Sequence, residues 1–434
     1  MKLEDRLGYL KDLEKEIKKE REAILEALYL DLGKSMEEAY LSEYLMTLDE
    51  LAYTIKNLPS WARVKRVPTP SHQFPSHGEI YRRPYGRVAV ASPWNYPFIL
   101  SMVPSIGALA GGNRLVLKTS SKSVFTSHVV KRILEKVYPP DWVQVYGTEE
   151  GDKDRFMEED MDFLFFTGST KVGREMARLA GEKMIPVVLE LGGKSPVIVG
   201  KTKDLRTTAR RIIWGKTLNA GQTCVAPDYC LVRRDLLAPL MEEMNQAILD
   251  FYGSDPLESP YLASIIDEGH YNRLVNLAKL QGIYGEGDGS SLDLKLRPQV
   301  FTTSLASPFM EEEIFGPYLP VLPYDSLEEV EEIIGHHPNP LALYLFTEDK
   351  GEEDFVLDRI SFGGGALNDT ITHLSSVTLP FGGVGQSGLG AYHGKASFDT
   401  FTRPQSILKK SMNIDLSLRY PPYGNFDPRK FFKK

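Results

Sequence analysis

The amino-acid sequence predicts an α/β protein with a doubly wound parallel sheet, followed by a second α/β domain. Three observations carry this expectation. Short apolar runs alternate with helix-length segments, the alternation starts afresh midway along the chain, and 434 residues exceed what one hydrophobic core usually holds. A strand covered on both faces reads as a continuous apolar run rather than an alternating one, and that is the texture here.

The chain opens on helices. Leu7, Leu10, Leu13, Ile17, Ile24 and Leu28 recur at helical spacing between Leu3 and about Leu30, and the dense alternating charges from Lys11 to Glu22 give that helix a solvated face. A second helix is predicted from Met36 to about Asn57, stopped by Pro59, whose ring opposes its continuation. Pro68, Pro70 and Pro75, interleaved with Ser60, Ser71 and Ser76, then mark an irregular or edge-strand arm.

The first α/β series comes next, with buried strands at 88–91, 115–117, 143–145, 163–166 and 187–189 and helices near 99–109, 124–137 and 172–179. The second begins near Ser195, with strands at 197–199, 229–232, 319–324 and 343–346 and helices at 205–217 and 236–249. No internal repeat or low-complexity tract interrupts either series.

Composition narrows the function. Lys plus Arg number 51 against 59 Asp plus Glu, a net charge of −8, which argues against a nucleic-acid partner. Acids within the first six residues take the place of a basic signal region, and no run approaches a membrane span, so a cytoplasmic protein is expected. Two cysteines, Cys224 and Cys230, are too few for a disulfide framework and match neither a redox pair nor half a zinc site. The basic and aromatic end at 429–434 reads as a frayed charged tail, with membrane contact not expected.

Four places can carry chemistry. Asn219-Ala220-Gly221-Gln222-Thr223-Cys224 sets a cysteine in a loop of small residues that a substrate can approach, whereas Cys230 sits in an apolar strand and reads as inert core. Burial is the ordinary fate of a cysteine, so Cys224 needs support from elsewhere. Glu190 ends an apolar strand and precedes Gly192-Gly193; ligands bind at that edge of an open sheet, which makes Glu190 a candidate general base against the plainer reading of a surface glutamate. Pro93-Trp94-Asn95-Tyr96-Pro97 holds an amide in rigid surroundings, as an oxyanion donor needs and as a tight turn also would. Gly168-Ser169-Thr170 with Gly173 forms a GSTxxG turn into a helix, a weaker dinucleotide signal than GxGxxG.

Taken in order, PWNYP at 93–97, FTGST at 166–170, ELGGKSP at 190–196, NAGQTC at 219–224, EEIFGP at 312–317 and PFGGVGQSG at 380–388 resemble the aldehyde dehydrogenase superfamily. GAYHGKASFDTF at 390–401, the late RYPPY at 419–423 and the short N-terminal region resemble its class 3 branch. The resemblance implies a Rossmann-like cofactor domain at 1–66 and 85–192, an α/β catalytic domain at 193–385, and a β bridging and oligomerisation element with a C-terminal tail at 67–84 and 386–434. It further implies a homodimer that oxidises medium-chain aliphatic or aromatic aldehydes with NAD or NADP.

Carried residue by residue, the resemblance makes Cys224 the nucleophile, Glu190 the base and Asn95 the oxyanion donor. Lys118 would meet the adenosine ribose, Ser169 the pyrophosphate, and Glu313 with Phe315 the nicotinamide ribose and ring. Trp94, Ser121, Gly168, Gly173 and Leu191 complete the expected cofactor contacts, and Tyr96, Thr223 and His373 the expected substrate lining. For His373 an exposed loop position is the plainer reading. Similar enzymes read Lys-Pro-Ser-Glu where this chain has Lys118-Thr119-Ser120-Ser121, so Ser121 replaces an acid that discriminates against NADP; alternatively it caps the next helix.

Two other readings stay open: coenzyme A in place of water as the acyl acceptor, and a retired enzyme kept for binding or structure. A metal enzyme is disfavoured, because His336 and His337 are adjacent and precede Pro338 rather than sharing one helix face.

Overall fold

Residues 1–415 and 419–422 are described by the computed structural model, so Tyr423 of RYPPY and the basic end at 429–434 lie outside the described residues. The chain forms two units: Met1–Trp61 with Pro84–Thr402, and Ala62–Arg83 with the described residues from Arg403 on.

In the larger unit the first apolar series builds a six-stranded sheet in the spatial order Gly388–Leu389, Val187–Glu190, Phe163–Thr167, Arg87–Ala91, Arg114–Lys118 and Val143–Tyr146. The five long strands run parallel, and the two-residue strand Gly388–Leu389 closes one edge antiparallel. Val88, Ala89, Val90, Leu164 and Phe165 have no accessible surface, as strands covered on both faces require. Register aligns Ala91 with Lys118 and Phe166, and Thr167 with Glu190, so the carboxyl ends of these strands share one edge.

The second series builds a parallel sheet ordered Gln299–Thr302, Tyr318–Tyr324, Tyr229–Arg233, Pro196–Val199, Ala342–Phe346 and Gly364–Leu367. Its two outer strands were not predictable: edge positions stay half-exposed, and Gly364-Gly365 carries no apolar run.

Three expectations shift. The first helix divides at Glu20 into Leu3–Lys19 and Arg21–Leu32. The second contains a π-helical stretch, Tyr40–Leu45, and runs through Pro59 to Trp61 rather than stopping. Pro59 lies in the last turn, where one lost hydrogen bond is offset by burying Leu58 and by Trp61 packing against Tyr53 and Phe398. Finally, residues 386–402 group with the larger unit rather than with the bridging element, because Gly388–Leu389 pairs into the first sheet and Phe401 packs on Phe163 and Phe165.

The smaller unit holds a three-stranded sheet of Lys65–Val67, Ser76–Pro84 and Thr402–Lys410, of which only the end residues Pro84 and Thr402 fall in the larger unit. It is laced by Lys409 to Glu79 at 2.7 Å and Arg83 to Gln405 at 2.7 Å. Hydrogen bonding from Lys409 holds the Glu79 carboxyl down at about 2.

Candidate active site

The loop bearing Cys224 begins where the helix Leu205–Thr217 ends, and it turns through three successive left-handed residues, Asn219 (φ 52°), Ala220 (φ 52°) and Gly221 (φ 76°). Two of these are not glycine, and such conformations cost about 1–3 kcal/mol each unless the surroundings hold them. They are held: the Asn219 N–H donates to Glu38 Oε1 at 2.8 Å, and its Nδ2 donates to the Asn95 carbonyl at 2.7 Å. Gln222 Nε2 donates to the carbonyls of Asn219 and Ser264 (3.1 and 2.9 Å), while its Oε1 accepts from the Ile266 N–H at 3.0 Å.

Cys224 therefore stands at the end of a rigid reversal with some accessible surface, whereas Cys230 has none. The walls around Cys224 desolvate the sulfur and push its thiol up to about 12, with the charges of Glu313 and Glu190 adding to the rise. The backbone N–H groups of Cys224 and Val225 oppose that shift, so both face the sulfur.

Glu190 enters from the carboxyl end of Val187–Glu190. It is 2% exposed, and neither carboxyl oxygen finds a hydrogen-bond partner among the described residues. Burial alone raises its pKa well above the carboxylate range. Thr167 Oγ1, its neighbour in register, is also buried without a partner there. Orphaned buried polar atoms are expensive, so this pair calls for a water or a ligand between the walls. Two tyrosines missed in the sequence complete the surroundings. Buried Tyr392 lies within electrostatic reach of Glu190 and Cys224, and Tyr344 does so for Cys224 while donating to the Val225 carbonyl at 2.6 Å.

Asn95 comes after the strand Arg87–Ala91 and is buried, its Nδ2 donating to the Gln222 carbonyl at 3.0 Å. The structure thus brings Asn95, Glu190 and Cys224 together from three segments. The hydroxyls of Tyr96 and Thr223, both expected to line the substrate site, bond each other at 2.7 Å, which ties the two loops together. His373 is not an exposed loop histidine. It is half-buried between Tyr344 and Phe381, with both ring nitrogens unpartnered among the described residues, and burial lowers its pKa to about 4.

The expected cofactor residues spread along the same edge. Lys118 Nζ donates to the carbonyls of Thr119 and Gly147 (2.5 and 2.8 Å), and burial lowers its pKa. Ser169 caps the helix Thr170–Lys183 through the Val172 N–H, while the Gly168 N–H donates to the Glu190 carbonyl at 3.0 Å. Gly173 serves packing, since a Cβ there would lie 2.4 Å from the Leu191 side chain. Ser121 is exposed and does not cap the helix Val124–Val137; Asp31 does, accepting from the N–H groups of Phe125 and Thr126 at 3.1 and 2.7 Å.

Glu313 and Phe315 ride on a loop clamped from below. Buried Lys194 pairs with Asp228 and donates to the carbonyls of Phe309 and Glu312, both at 2.8 Å, and Asp228 Oδ1 accepts from the Ile314 N–H at 2.9 Å. Glu313 lies against the Gly192 backbone, where a Cβ would meet its Oε2 at 2.1 Å. Burial, then the charge of Asp228, pushes its carboxyl to about 8. The Phe315 ring meets Trp94 edge-on at 5.5 Å, and Trp94 meets His270 at 5.0 Å. Lys194 lies inside the ELGGKSP run, yet only the fold reveals its work, because its partner Asp228 is 34 residues away.

Residues 1–407 match the aldehyde dehydrogenase family. The chain is 42% identical over 430 residues to 4,4'-diaponeurosporen-aldehyde dehydrogenase of Staphylococcus aureus, covering 98% of this chain and 94% of that protein. Aldehyde dehydrogenase family 3 comG of Dictyostelium discoideum is 39% identical over 430 residues, with coverages of 98% and 91%. A solved structure of substrate-bound Staphylococcus aureus AldH superposes with a TM-score of 0.96 at 40% identity, covering 100% of this chain and 95% of that one.

Proposed function

The chain belongs to the aldehyde dehydrogenase family and oxidises aldehydes to carboxylic acids with NAD or NADP, and from that premise we propose that Cys224, Glu190 and Asn95 divide the chemistry. The observation that carries the division is a buried carboxyl, Glu190, left without a partner among the described residues and within electrostatic reach of the one cysteine that keeps accessible surface.

Cys224 loses its proton to solvent water, and its sulfur attacks the aldehyde carbon, forming a thiohemiacetal alkoxide. The free N–H of the Asn95 amide and the Cys224 backbone N–H stabilise that oxygen; one such donor is typically worth ~2.7–4 kcal/mol. A nicotinamide held near Glu313 and Phe315 would supply the acceptor for the hydride that leaves the former aldehyde carbon. A thioester on Cys224 remains. Water then attacks it while Glu190 takes the water's proton, and the carboxylic acid departs as the thiol is restored. A carboxyl raised by burial suits this role, because its ionised form is a stronger base and accepts a proton more readily.

Trp94, Lys118, Ser121, Ser169, Leu191, Glu313 and Phe315 would hold the cofactor, with Gly168 and Gly173 keeping the strand and helix close enough for its approach. The orphaned Thr167 hydroxyl and Glu190 carboxyl fit a group that enters between them. Tyr344, Tyr392, Phe381 and His373 supply an apolar, aromatic wall, which supports medium-chain aliphatic or aromatic aldehydes as the substrate class. The class 3 resemblance supports a homodimer, and two unpaired cysteines support the reducing cytoplasm.

The test is a panel of aliphatic and aromatic aldehydes with each cofactor and no coenzyme A, monitored by reduced-cofactor absorbance. Turnover that requires coenzyme A would replace hydrolysis by acyl transfer, and silence with every aldehyde would mark a retired homologue.

A further inference from the structure

Lys34 and Glu43 form an ion pair with no accessible surface on either side chain, Nζ to Oε1 at 2.6 Å. The local fold places both. The left-handed Gly33 (φ 63°) ends the helix Arg21–Leu32 and turns Lys34 inward, and the π-helical stretch Tyr40–Leu45 carries Glu43 opposite it. A pair this deep adds little net stability, because the desolvation of two charges offsets their attraction. Its remaining bonds show where it acts.

Both partners grip the same five residues. Lys34 Nζ donates to the Asn95 carbonyl at 3.2 Å and sits 3.8 Å over the Tyr96 ring. Glu43 Oε2 accepts from the N–H groups of Phe98 and Ile99, at 2.8 and 3.2 Å, where the helix Ile99–Gly111 begins. The segment is held at its first carbonyl by the cation and at its last N–H groups by the anion. From the cysteine loop, Asn219 Nδ2 donates to the same Asn95 carbonyl at 2.7 Å. Fixing that peptide fixes the origin of the Asn95 side chain, and misplacement of an oxyanion donor by an ångström is costly.

We propose that Lys34 and Glu43 are positioning residues for oxyanion stabilisation, acting through the backbone of Asn95. This rests on the reading of Asn95 as the oxyanion donor, and neither residue touches the reacting atoms. A pair serving only stability would affect all steps alike. A positioning pair affects hydride transfer and leaves cofactor binding and the Cys224 thiol as they were.

The experiment is a mutant cycle on the full-length enzyme, read by the single-turnover rate of hydride transfer at saturating aldehyde and cofactor. Lys34→Met with Glu43→Gln removes both charges at similar volume, and Glu43→Asp, one methylene shorter, is the second route should the double variant not fold. Either is expected to slow hydride transfer by about tenfold to hundredfold, with cofactor affinity and Cys224 alkylation unchanged. In an Asn95→Ala background the same substitutions should cost nothing further. A full multiplicative loss in that background, or a parental rate in the double variant, would overturn the proposal. Asn95→Ala alone retaining the parental rate would instead sink the oxyanion reading.

Discussion

Gly221 and Gly316 meet main chain to main chain: a Cβ on Gly221 would lie 2.2 Å from the Gly316 carbonyl oxygen and 2.5 Å from its carbonyl carbon. This contact joins the loop that presents Cys224 to the loop that carries Glu313 and Phe315, so the proposed nucleophile and the expected cofactor residues are located by one backbone junction. Gly221 also has φ 76°, where a side chain is strained in any surroundings. Gly221→Ala should therefore destabilise the fold by about 1–3 kcal/mol and weaken cofactor affinity and hydride transfer together. Thermal melts beside cofactor titration read this out. A lower Tm with cofactor affinity intact would show that the two loops are not coupled through this contact.

Cys224→Ala should abolish turnover, while Cys230→Ala should keep most of it at a modest loss of stability, because Cys230 is closed inside its strand. Burial pushes the Cys224 thiol up to about 12, so its reactive thiolate is scarce near neutral pH and grows as pH rises. Iodoacetamide should accordingly label Cys224 before Cys230, at a rate climbing with pH. Equal loss of activity from both alanine variants, each folded, would remove Cys224 from its role.

Glu190→Gln should preserve the first turnover and slow the later ones, giving a burst of reduced cofactor and then a weak steady state. The pH dependence has a definite sign. Burial raises the Glu190 pKa well above the carboxylate range, and only the ionised form can accept the proton from water, so deacylation should accelerate as pH rises. That rise should vanish in the glutamine variant. Loss of the burst itself would mean that Glu190 activates the thiol rather than the water.

Strand cores and motif ends were legible because continuous apolar runs and glycine-rich turns state their own geometry. The helix Val124–Val137 and the helix Leu205–Thr217 fall where periodicity puts them. Asn95, Glu190 and Cys224 stand out as candidates through motifs, not through any periodicity. The features that stayed hidden act across long sequence separations: Lys34 reaches Asn95 from 61 residues away, and Asp31 caps a helix 94 residues on. Tyr392 lies within a motif, but its electrostatic reach to Glu190 spans 202 positions of chain and leaves no local pattern.

Glu38 supplies a stability test. Its Oε1 accepts the Asn219 N–H at 2.8 Å, yet burial pushes its carboxyl from 4.5 to about 7, against the pull of Lys34 and that N–H. The native protein keeps this proton up to about 7, whereas the unfolded chain releases it near 4.5. The contribution is therefore complete below about 4.5 and is lost as pH rises to about 7, with no further loss above. Relative to Glu38→Gln, the parent should lose Tm across that window and run parallel to it at higher pH. Parallel curves throughout would show that Glu38 titrates normally in the native fold.

The last prediction concerns cofactor choice. Where similar enzymes place an acid, this chain has Ser121, and the plainer role once open to it is gone, because Asp31 rather than Ser121 satisfies the N–H groups of Phe125 and Thr126. Ser121 is exposed, three residues beyond Lys118, whose Nζ is anchored on two carbonyls at the end of its strand. A carboxylate at this position would accept hydrogen bonds from the adenosine ribose and repel a 2′-phosphate; a serine hydroxyl can donate to that phosphate, and Lys118 attracts it. The neighbouring Lys122 contributes less, since its Nζ is paired with Asp267 at 2.7 Å. NADP should thus be used at least comparably with NAD, and Ser121→Glu should shift kcat/KM toward NAD without altering the hydride-transfer rate at saturation. An unchanged ratio in that variant would show that Ser121 does not read the ribose and that selectivity lies elsewhere along the sheet edge.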